Sequence, residues 1–225
     1  MPLFVKILLF YLPLVLFTLI LEIFYKKIKW YFWFIAIFAG MIAIIPSALI
    51  QFFVPYPFFV FTPLQDGVFS IFLTCFLLNG LIEEASKAVC SMIVLPKKHD
   101  FTPFLLLSVE VALSFSTFEN IVYIISGMKT PELRMISASV VHIICSFLSG
   151  IFIWNSFQKK VAIRPMLSAI FVHTLYNFFV SLPGNIKFVA IAPVAFGIFQ
   201  SILFYQIYRA SGTRIRDPKS PRLVR

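Results

Sequence analysis

Residues 79–92 read "NGLIEEASKAVCSM" and lie inside an apolar stretch, 68–95, that is long enough to cross a lipid bilayer. Glu83, Glu84 and Lys87 therefore fall at bilayer depth, where a central charged side chain costs roughly 2.5–3.5 kcal/mol on insertion scales. Such residues usually face the interior of a helix bundle and pair with other polar groups. This stretch therefore predicts several membrane-spanning helices around a polar interior.

The composition of the whole chain is that of a membrane protein. Of its 225 residues, 60% are hydrophobic and 12% are charged, and the mean hydropathy is +0.96. This balance excludes an ordinary soluble domain, and long apolar runs are typical of transmembrane helices. We predict an all-α polytopic membrane protein with a single transmembrane domain, residues 1–208, and a basic cytoplasmic tail, residues 209–225. About seven helices are expected, at 3–25, 30–54, 68–95, 101–126, 134–157, 164–181 and 187–208.

The net charge of +10 is distributed unevenly between the two sides of the predicted bundle. Most lysines and arginines fall in the loops of one side and in the C-terminal tail, which is the positive-inside pattern. This pattern predicts a multi-pass protein of the cell membrane, with the N-terminus outside and the C-terminus in the cytoplasm. The basic tail is expected to contact anionic lipids of the bilayer. It lacks the interleaved aromatic residues of a stacking platform, so we expect no nucleic-acid partner.

The three cysteines, Cys75, Cys90 and Cys145, all fall within apolar segments and at unrelated spacings. Neither a disulfide framework nor a CxxC metal site is expected from such a pattern.

In the third predicted helix, one lysine is within reach of two carboxylates. Lys87 follows Glu83 by four residues and Glu84 by three, so it can contact either one along an α-helix. Because one ammonium group cannot neutralise both, either one glutamate is protonated or another partner comes from a different helix. Gly80 is small and allows a neighbouring helix to approach closely. Considered alone, these residues fit a purely structural role equally well, namely an ion pair that holds two helices together.

The fourth predicted helix contains "VALSFSTFENIVYII", residues 111–125. Glu119 and Asn120 lie in this helix at bilayer depth, and Phe115 lies one turn before Glu119. Glu110 is nine residues before Glu119, which places it on the opposite face and about 13 Å away along the axis. We therefore leave Glu110 out of the site.

The fifth and sixth predicted helices each carry one histidine. His142 begins a stripe of polar and small residues on one face, and His173 is followed one turn later by Asn177. Each feature alone is more often structural than catalytic. Together with the two preceding helices, however, they predict one shared polar site between helices 3 and 6, since isolated groups would cost on the order of 10 kcal/mol or more. The stripe on the fifth helix consists of His142, Cys145, Ser146, Ser149 and Gly150.

The helical rise predicts a difference in depth between these groups. Glu119, His142 and His173 each lie roughly 11 Å from the outer ends of their helices, whereas Glu83 and Glu84 lie roughly 10 Å lower. Either the third helix begins later than predicted, or it is tilted.

Several chemistries fit such a cluster. A carboxylate beside a histidine can take a proton from water, and a second histidine with an amide can stabilise an oxyanion, which together permit peptide hydrolysis. The same residues could ligate a divalent metal, although no HExxH motif is present. Ser146 and Cys145 are weaker candidates for a nucleophile, since neither lies in a recognisable motif. A proton-coupled transporter and a non-catalytic scaffold also remain open.

The motifs of the four helices, in this order, resemble PrsW-type membrane proteases. These belong to a wider group of glutamic intramembrane proteases that includes the CAAX prenyl endopeptidases and bacteriocin-processing immunity proteins. The resemblance covers about residues 79–178. The residues that carry it are Glu83, Glu84 and Lys87 (EExxK), Phe115, Glu119 and Asn120 (FxxxEN), His142 with Gly150, and His173 with Asn177 (HxxxN).

The resemblance implies a metal-independent intramembrane protease without a cofactor. Its substrate would be a membrane-anchored protein cut near the outer face of the bilayer, as the best-known members cut a transmembrane anti-sigma factor. Two departures concern the fourth helix. Asp100 is followed by a bulky segment rather than a glycine-rich one. Glu119 stands where the CAAX enzymes have histidine, and His142 would then replace that imidazole.

The resemblance also implies a role for each site residue. Glu83 would be the base that activates water, and Glu84 would be held by Lys87. Glu119 and His142 would orient the water, while His173 and Asn177 would donate to the carbonyl oxygen. The predicted catalytic residues are thus Glu83, Glu84, Glu119, His142, His173 and Asn177, supported by Lys87, Asn120 and Phe115, with no metal ligand assigned.

Overall fold

A computed structural model describes residues 3–26, 28–53, 67–95, 100–125 and 132–212 of the chain. These residues form helices, and no β-strand occurs among them. The helices are α1 (Leu3–Phe24), α2 (Tyr31–Phe53), α3 (Val68–Thr74), a π-helical segment (Cys75–Glu83), α4 (Glu84–Val94), α5 (Phe101–Ile125), α6 (Glu132–Phe157), α7 (Ile163–Ser181), a 3₁₀ segment (Gly184–Ala190) and α8 (Ile191–Gly212).

The predicted all-α polytopic fold is confirmed. Within the described ranges, six helical stretches are long and apolar enough to cross a membrane, among them the continuous rods Val68–Val94 and Gly184–Ala210. The sixth predicted span corresponds to α7, which has 19 residues. It is less apolar than the others because it carries Arg164, His173 and Asn177.

The predicted orientation and the division at residue 208 stay predictions. α8 continues to Gly212, so that boundary lies inside a helix rather than after one. Lys97, Lys98 and residues 213–225, on which much of the charge pattern depends, lie outside the described residues.

α5 lies near the centre of the bundle. Of its membrane-crossing window, 72% is buried, compared with 17% for that of α1 and 22% for that of Gly184–Ala210. It packs against α1, α2 and α6, and its buried apolar side chains form much of the core, including Phe104, Leu105, Leu107 and Val111. α1 and α8 therefore form the periphery, and their exposed apolar side chains face outward, as expected for contact with lipid.

The third membrane-crossing rod is not a uniform α-helix. Its middle part, Cys75–Glu83, is π-helical, and α4 begins at Glu84. Hydrogen bonds from residue i to i+5 place more residues in each turn than an α-helix does. The π segment therefore lies less deep than a regular α-helical rise gives. Glu83 and Glu84 both contact His173, so the difference in depth predicted for them was wrong.

Gly80, in the π segment, lies directly against α7. A Cβ atom at this position would be 2.1 Å from Thr174 Oγ1 and 2.9 Å from the Ile170 carbonyl oxygen. Only glycine fits at this distance, which agrees with the close approach predicted for this residue. The contact sets the distance between the rod that carries Glu83 and the helix that carries His173.

We expect Gly80→Ala to destabilise the protein by about 1–3 kcal/mol, because the added methyl group overlaps a backbone oxygen. This is the opposite of the stabilisation, roughly 1 kcal/mol, that the same change gives in an unobstructed helix. Thermal unfolding in detergent measures the difference. Gly67→Ala is the control, since a Cβ there meets nothing within 4 Å. An unchanged midpoint for Gly80→Ala would show that the two helices are not in this close contact.

Candidate active site

The polar residues of four helical rods meet at one buried site. The rod Val68–Val94 contributes Glu83, Glu84 and Lys87, α6 contributes His142, and α7 contributes His173. Each of these five side chains is at most 3% exposed. Glu119 of α5 lies beside them and is 17% exposed. The structure therefore brings together the residues that the sequence predicted to share a site between helices 3 and 6.

Lys87 pairs with Glu84. Its Nζ atom donates to Glu84 Oε1 at 2.5 Å, and His173 Nδ1 lies 2.7 Å from the same oxygen. Either carboxylate was within reach of Lys87 along the helix, and the structure selects Glu84. With two donors on one oxygen, Glu84 is the more strongly satisfied of the two glutamates.

His142 connects Lys87 to Glu119. Lys87 Nζ lies 3.0 Å from His142 Nδ1, and His142 Nε2 lies 2.9 Å from Glu119 Oε2. An ammonium group can only donate, so Nδ1 accepts, and the ring proton is assigned to Nε2, which donates to Glu119. The ring of Phe115 packs against Lys87 and His142. Its centroid lies 5.0 Å from Lys87 Nζ and 5.4 Å from the centroid of the His142 ring. Phe115 thus supports the ammonium group by a cation–π contact.

Glu83 and His173 face each other. The proton of His173 is assigned to Nδ1, which contacts Glu84, and the lone pair of Nε2 is then directed towards Glu83 Oε2 at 3.7 Å. Glu83 Oε2 is buried and has no hydrogen-bond partner among the described residues. Two acceptors at this distance need a water molecule, a shared proton or a cation between them. The position between Glu83 Oε2 and His173 Nε2 therefore lacks a hydrogen-bond donor or a cation.

A narrow cleft opens beside this position. The space that the centre of a water molecule can occupy is about 10 Å³, which is roughly the room for one water molecule. Both predicted asparagines line it, so an amide is available next to His173. The predicted oxyanion role of His173 stays a prediction, because both of its ring nitrogens are directed at carboxylates here. The cleft is lined by Glu119, Asn120, Tyr123, Ala138, Val141, His142, His173, Tyr176 and Asn177.

Gln51 is a site residue that the sequence analysis missed. From the end of α2, its Nε2 atom donates to Glu83 Oε1 at 3.3 Å and to Ser47 Oγ at 3.4 Å. A signal was present, because Ser47 and Gln51 lie one turn apart in an otherwise apolar helix. Tyr123 and Tyr176 of the cleft were also missed, and aromatic residues are too common in this chain to mark them.

Glu110 and most of the stripe on α6 lie elsewhere. Glu110 is fully buried and accepts a hydrogen bond from Thr18 of α1, which agrees with its exclusion from the site. Ser149 donates to a backbone oxygen of its own helix, and Gly150 packs against Ser108 of α5. Of the stripe, only His142 and Cys145 reach the polar cluster.

The cluster carries an excess of negative charge. Glu83, Glu84 and Glu119 are three carboxylates, whereas Lys87 is the single lysine among them, and both histidines accept at one nitrogen in the assignment above. Buried charges of one sign are not stable without compensation. Two protons or one divalent cation would neutralise the excess.

The donor set fits a divalent metal ion. Glu83, His142 and His173 each offer a ligand atom, and these three atoms lie within 4.8 Å of one another. Two histidines and a glutamate are a common ligand set of catalytic zinc. The contact of His173 with Glu84 is the kind of carboxylate interaction that orients a metal-binding imidazole. For His142 to bind an ion, its contact with Lys87 or Glu119 must be replaced.

The fold and the site define a class: a multi-pass membrane protein with a buried carboxylate–histidine centre beside a water-sized cleft. Residues 27–205 match the family model described as "PrsW family intramembrane metalloprotease". The chain belongs to this family, which confirms the resemblance to PrsW-type proteases and makes it an intramembrane peptidase. The description names a metalloprotease, so it does not support the metal-independent mechanism expected above. No curated protein and no solved structure matches the chain.

Proposed function

We propose that the protein hydrolyses a peptide bond of a membrane-anchored protein, with the attacking water bound between Glu83 and His173. The observation that carries this proposal is the pair of facing acceptors, Glu83 Oε2 and His173 Nε2, which are 3.7 Å apart and of which His173 also lines the cleft. A water molecule there donates to both and is held in a low-dielectric surrounding. That is the arrangement required for general-base activation.

The surrounding residues act on the charges that form during attack. Glu83 takes the proton of the water, and Gln51 holds the other carboxylate oxygen of Glu83 in place. Lys87, which is connected through His142 to Glu119, keeps a positive charge near the site. Asn177, in the cleft, donates to the carbonyl oxygen as it becomes negative.

A divalent ion held by Glu83, His142 and His173 would polarise the substrate carbonyl and make bound water a stronger nucleophile. This agrees with the negative charge of the cluster and with the family description.

The substrate class and the side of cleavage follow from the resemblance and the charge pattern. We propose a protein with a single transmembrane span, of the anti-sigma-factor kind, cut near the outer face of the cell membrane. The purified protein in detergent, incubated with single-span substrates, tests the function as a whole. Solute flux in vesicles without any cleavage would instead support a transporter.

We expect Asn177→Ala to lower the cleavage rate by about 10²–10³, the usual effect of losing one oxyanion donor, while leaving measurable activity. The initial rate of cleavage in detergent measures it. Asn155→Ala is the matched control, because Asn155 is a buried amide of α6 that bonds the backbone of its own helix. Equal rates for the Asn177→Ala variant and the wild type would remove Asn177 from the site.

A strong chelator separates the two mechanisms: with an ion in place of the shared water, cleavage should be abolished by the chelator and restored by zinc. The reason is the excess negative charge around Glu83 and the suitability of the ligand set. Elemental analysis of the purified protein should find a bound divalent metal, reduced in Glu83→Gln. Full activity in the chelator, with no metal present, would contradict this and support the metal-independent glutamic mechanism.

A further inference from the structure

A second set of metal-ligating groups includes His173 and lies on the side where its Nδ1 atom contacts Glu84. Glu84, Cys145 and His173 each offer one ligand atom, and these atoms lie within 4.8 Å of one another. All three residues are buried, with Glu84 and Cys145 fully inaccessible. Glu84 Oε2 has no hydrogen-bond partner among the described residues. The proposed reaction uses neither this oxygen nor the thiol of Cys145.

We propose that Glu84, Cys145 and His173 bind a thiophilic divalent cation, such as Zn²⁺ or Cd²⁺, at a second site that shares His173 with the set of Glu83, His142 and His173. Thiolate, imidazole and carboxylate are all donors that zinc accepts. The sulfur atom makes this set softer than the first, so it favours thiophilic ions over Mg²⁺ or Mn²⁺.

The charges of this set match a divalent ion. A coordinating thiol loses its proton, so Cys145, Glu84 and the neighbouring Glu83 supply three negative charges, of which Lys87 balances one. Lys87 occupies Glu84 Oε1, and the unpartnered Oε2 remains for the ion. The thiol of Cys145 donates to the Ala169 carbonyl oxygen at 3.3 Å, a weak interaction that coordination would replace.

The two sets exclude each other because they share one imidazole. A neutral histidine has one nitrogen with a free lone pair, and the other carries the proton. In the first set, His173 presents Nε2 to Glu83 and donates from Nδ1 to Glu84. In the second set, Nδ1 binds the ion and Nε2 carries the proton towards Glu83. An ion behind His173 therefore removes the acceptor that the proposed reaction needs.

An ion bound to the second set is therefore expected to inhibit cleavage, because His173 also faces Glu83. This effect rests on the proposed function, whereas the binding itself does not.

Cadmium binding to a thiolate gives a charge-transfer band in the ultraviolet, which tests the proposal without any measurement of activity. The chain has three cysteines, so Cys75→Ser combined with Cys90→Ser leaves Cys145 alone. Titration of this variant in detergent with Cd²⁺ is expected to give a saturable band. Absence of the band in this folded variant would overturn the proposal.

Two further variants identify the ligands. Cys145→Ser should lose the band although Cys75 and Cys90 remain, and persistence of the band would overturn the assignment. His173→Ala in the single-cysteine protein should weaken Cd²⁺ binding at least about tenfold, since even changes around metal ligands cost 10–100-fold. Unchanged affinity would exclude His173 from this site. Because binding is read by absorbance, a protein that cleaves no substrate leaves this result independent of the proposed function.

Discussion

The variant Glu83→Gln is expected to reduce the cleavage rate by about 10³-fold or more, further than Asn177→Ala does. General-base catalysis contributes 10²–10⁴-fold, and the glutamine also lacks the charge that the position between Glu83 and His173 requires. Glutamine has nearly the same size, and it can still contact Gln51, so the fold should be preserved. Initial rates on a single-span substrate, with thermal unfolding as a check of folding, measure the effect.

The matched control for Glu83→Gln is Glu110→Gln. Glu110 is equally buried, but it lies against Thr18 of α1 and outside the cluster. Its variant should keep most of the wild-type activity. If Glu83→Gln stayed active while Glu84→Gln was inactive, the two glutamates would have to exchange roles. If both stayed active, the cluster would be structural and the proposed function wrong.

The variant Lys87→Met is expected to lower the free energy of unfolding by about 3–5 kcal/mol, the usual result of leaving one partner of a buried ion pair uncompensated. Methionine fills the space of the lysine side chain, so the loss comes from charge rather than from a cavity. Lys87 is 1% exposed and contacts Glu84 at 2.5 Å, so water cannot replace it. Thermal or denaturant unfolding in detergent measures the change.

The double variant Lys87→Met with Glu84→Gln tests this explanation. Removal of both charges should recover a large part of the lost stability, because Glu84 is then no longer a carboxylate that has lost its ion-pair partner. Lys187→Met is the surface control and should change stability by no more than about 0.5 kcal/mol, since Lys187 is exposed. A double variant as unstable as Lys87→Met alone would show that packing, rather than charge, is the cause.

The sequence by itself determined the fold class and most members of the site. Long apolar runs can only be membrane helices, because lipid leaves backbone groups no other partner. The same penalty makes each polar residue at depth informative, so Glu83, Glu84, Lys87, Glu119, His142, His173 and Asn177 could be found without coordinates. Their number on consecutive helices, rather than any single residue, indicated a shared site.

Only the tertiary structure decided which atoms meet. A helical repeat gives the rotation of a side chain about its own axis, but it does not give the rotation and depth of one helix relative to another. Lys87 could therefore reach two carboxylates in sequence, and the structure pairs it with Glu84. Glu83 lies at the level of His173, Gln51 contacts it from α2, a helix that no motif marked, and Cys145 lies close to His173. Each of these positions depends on packing between helices, such as the contact of Gly80 with α7. The local sequence of one helix does not encode that packing.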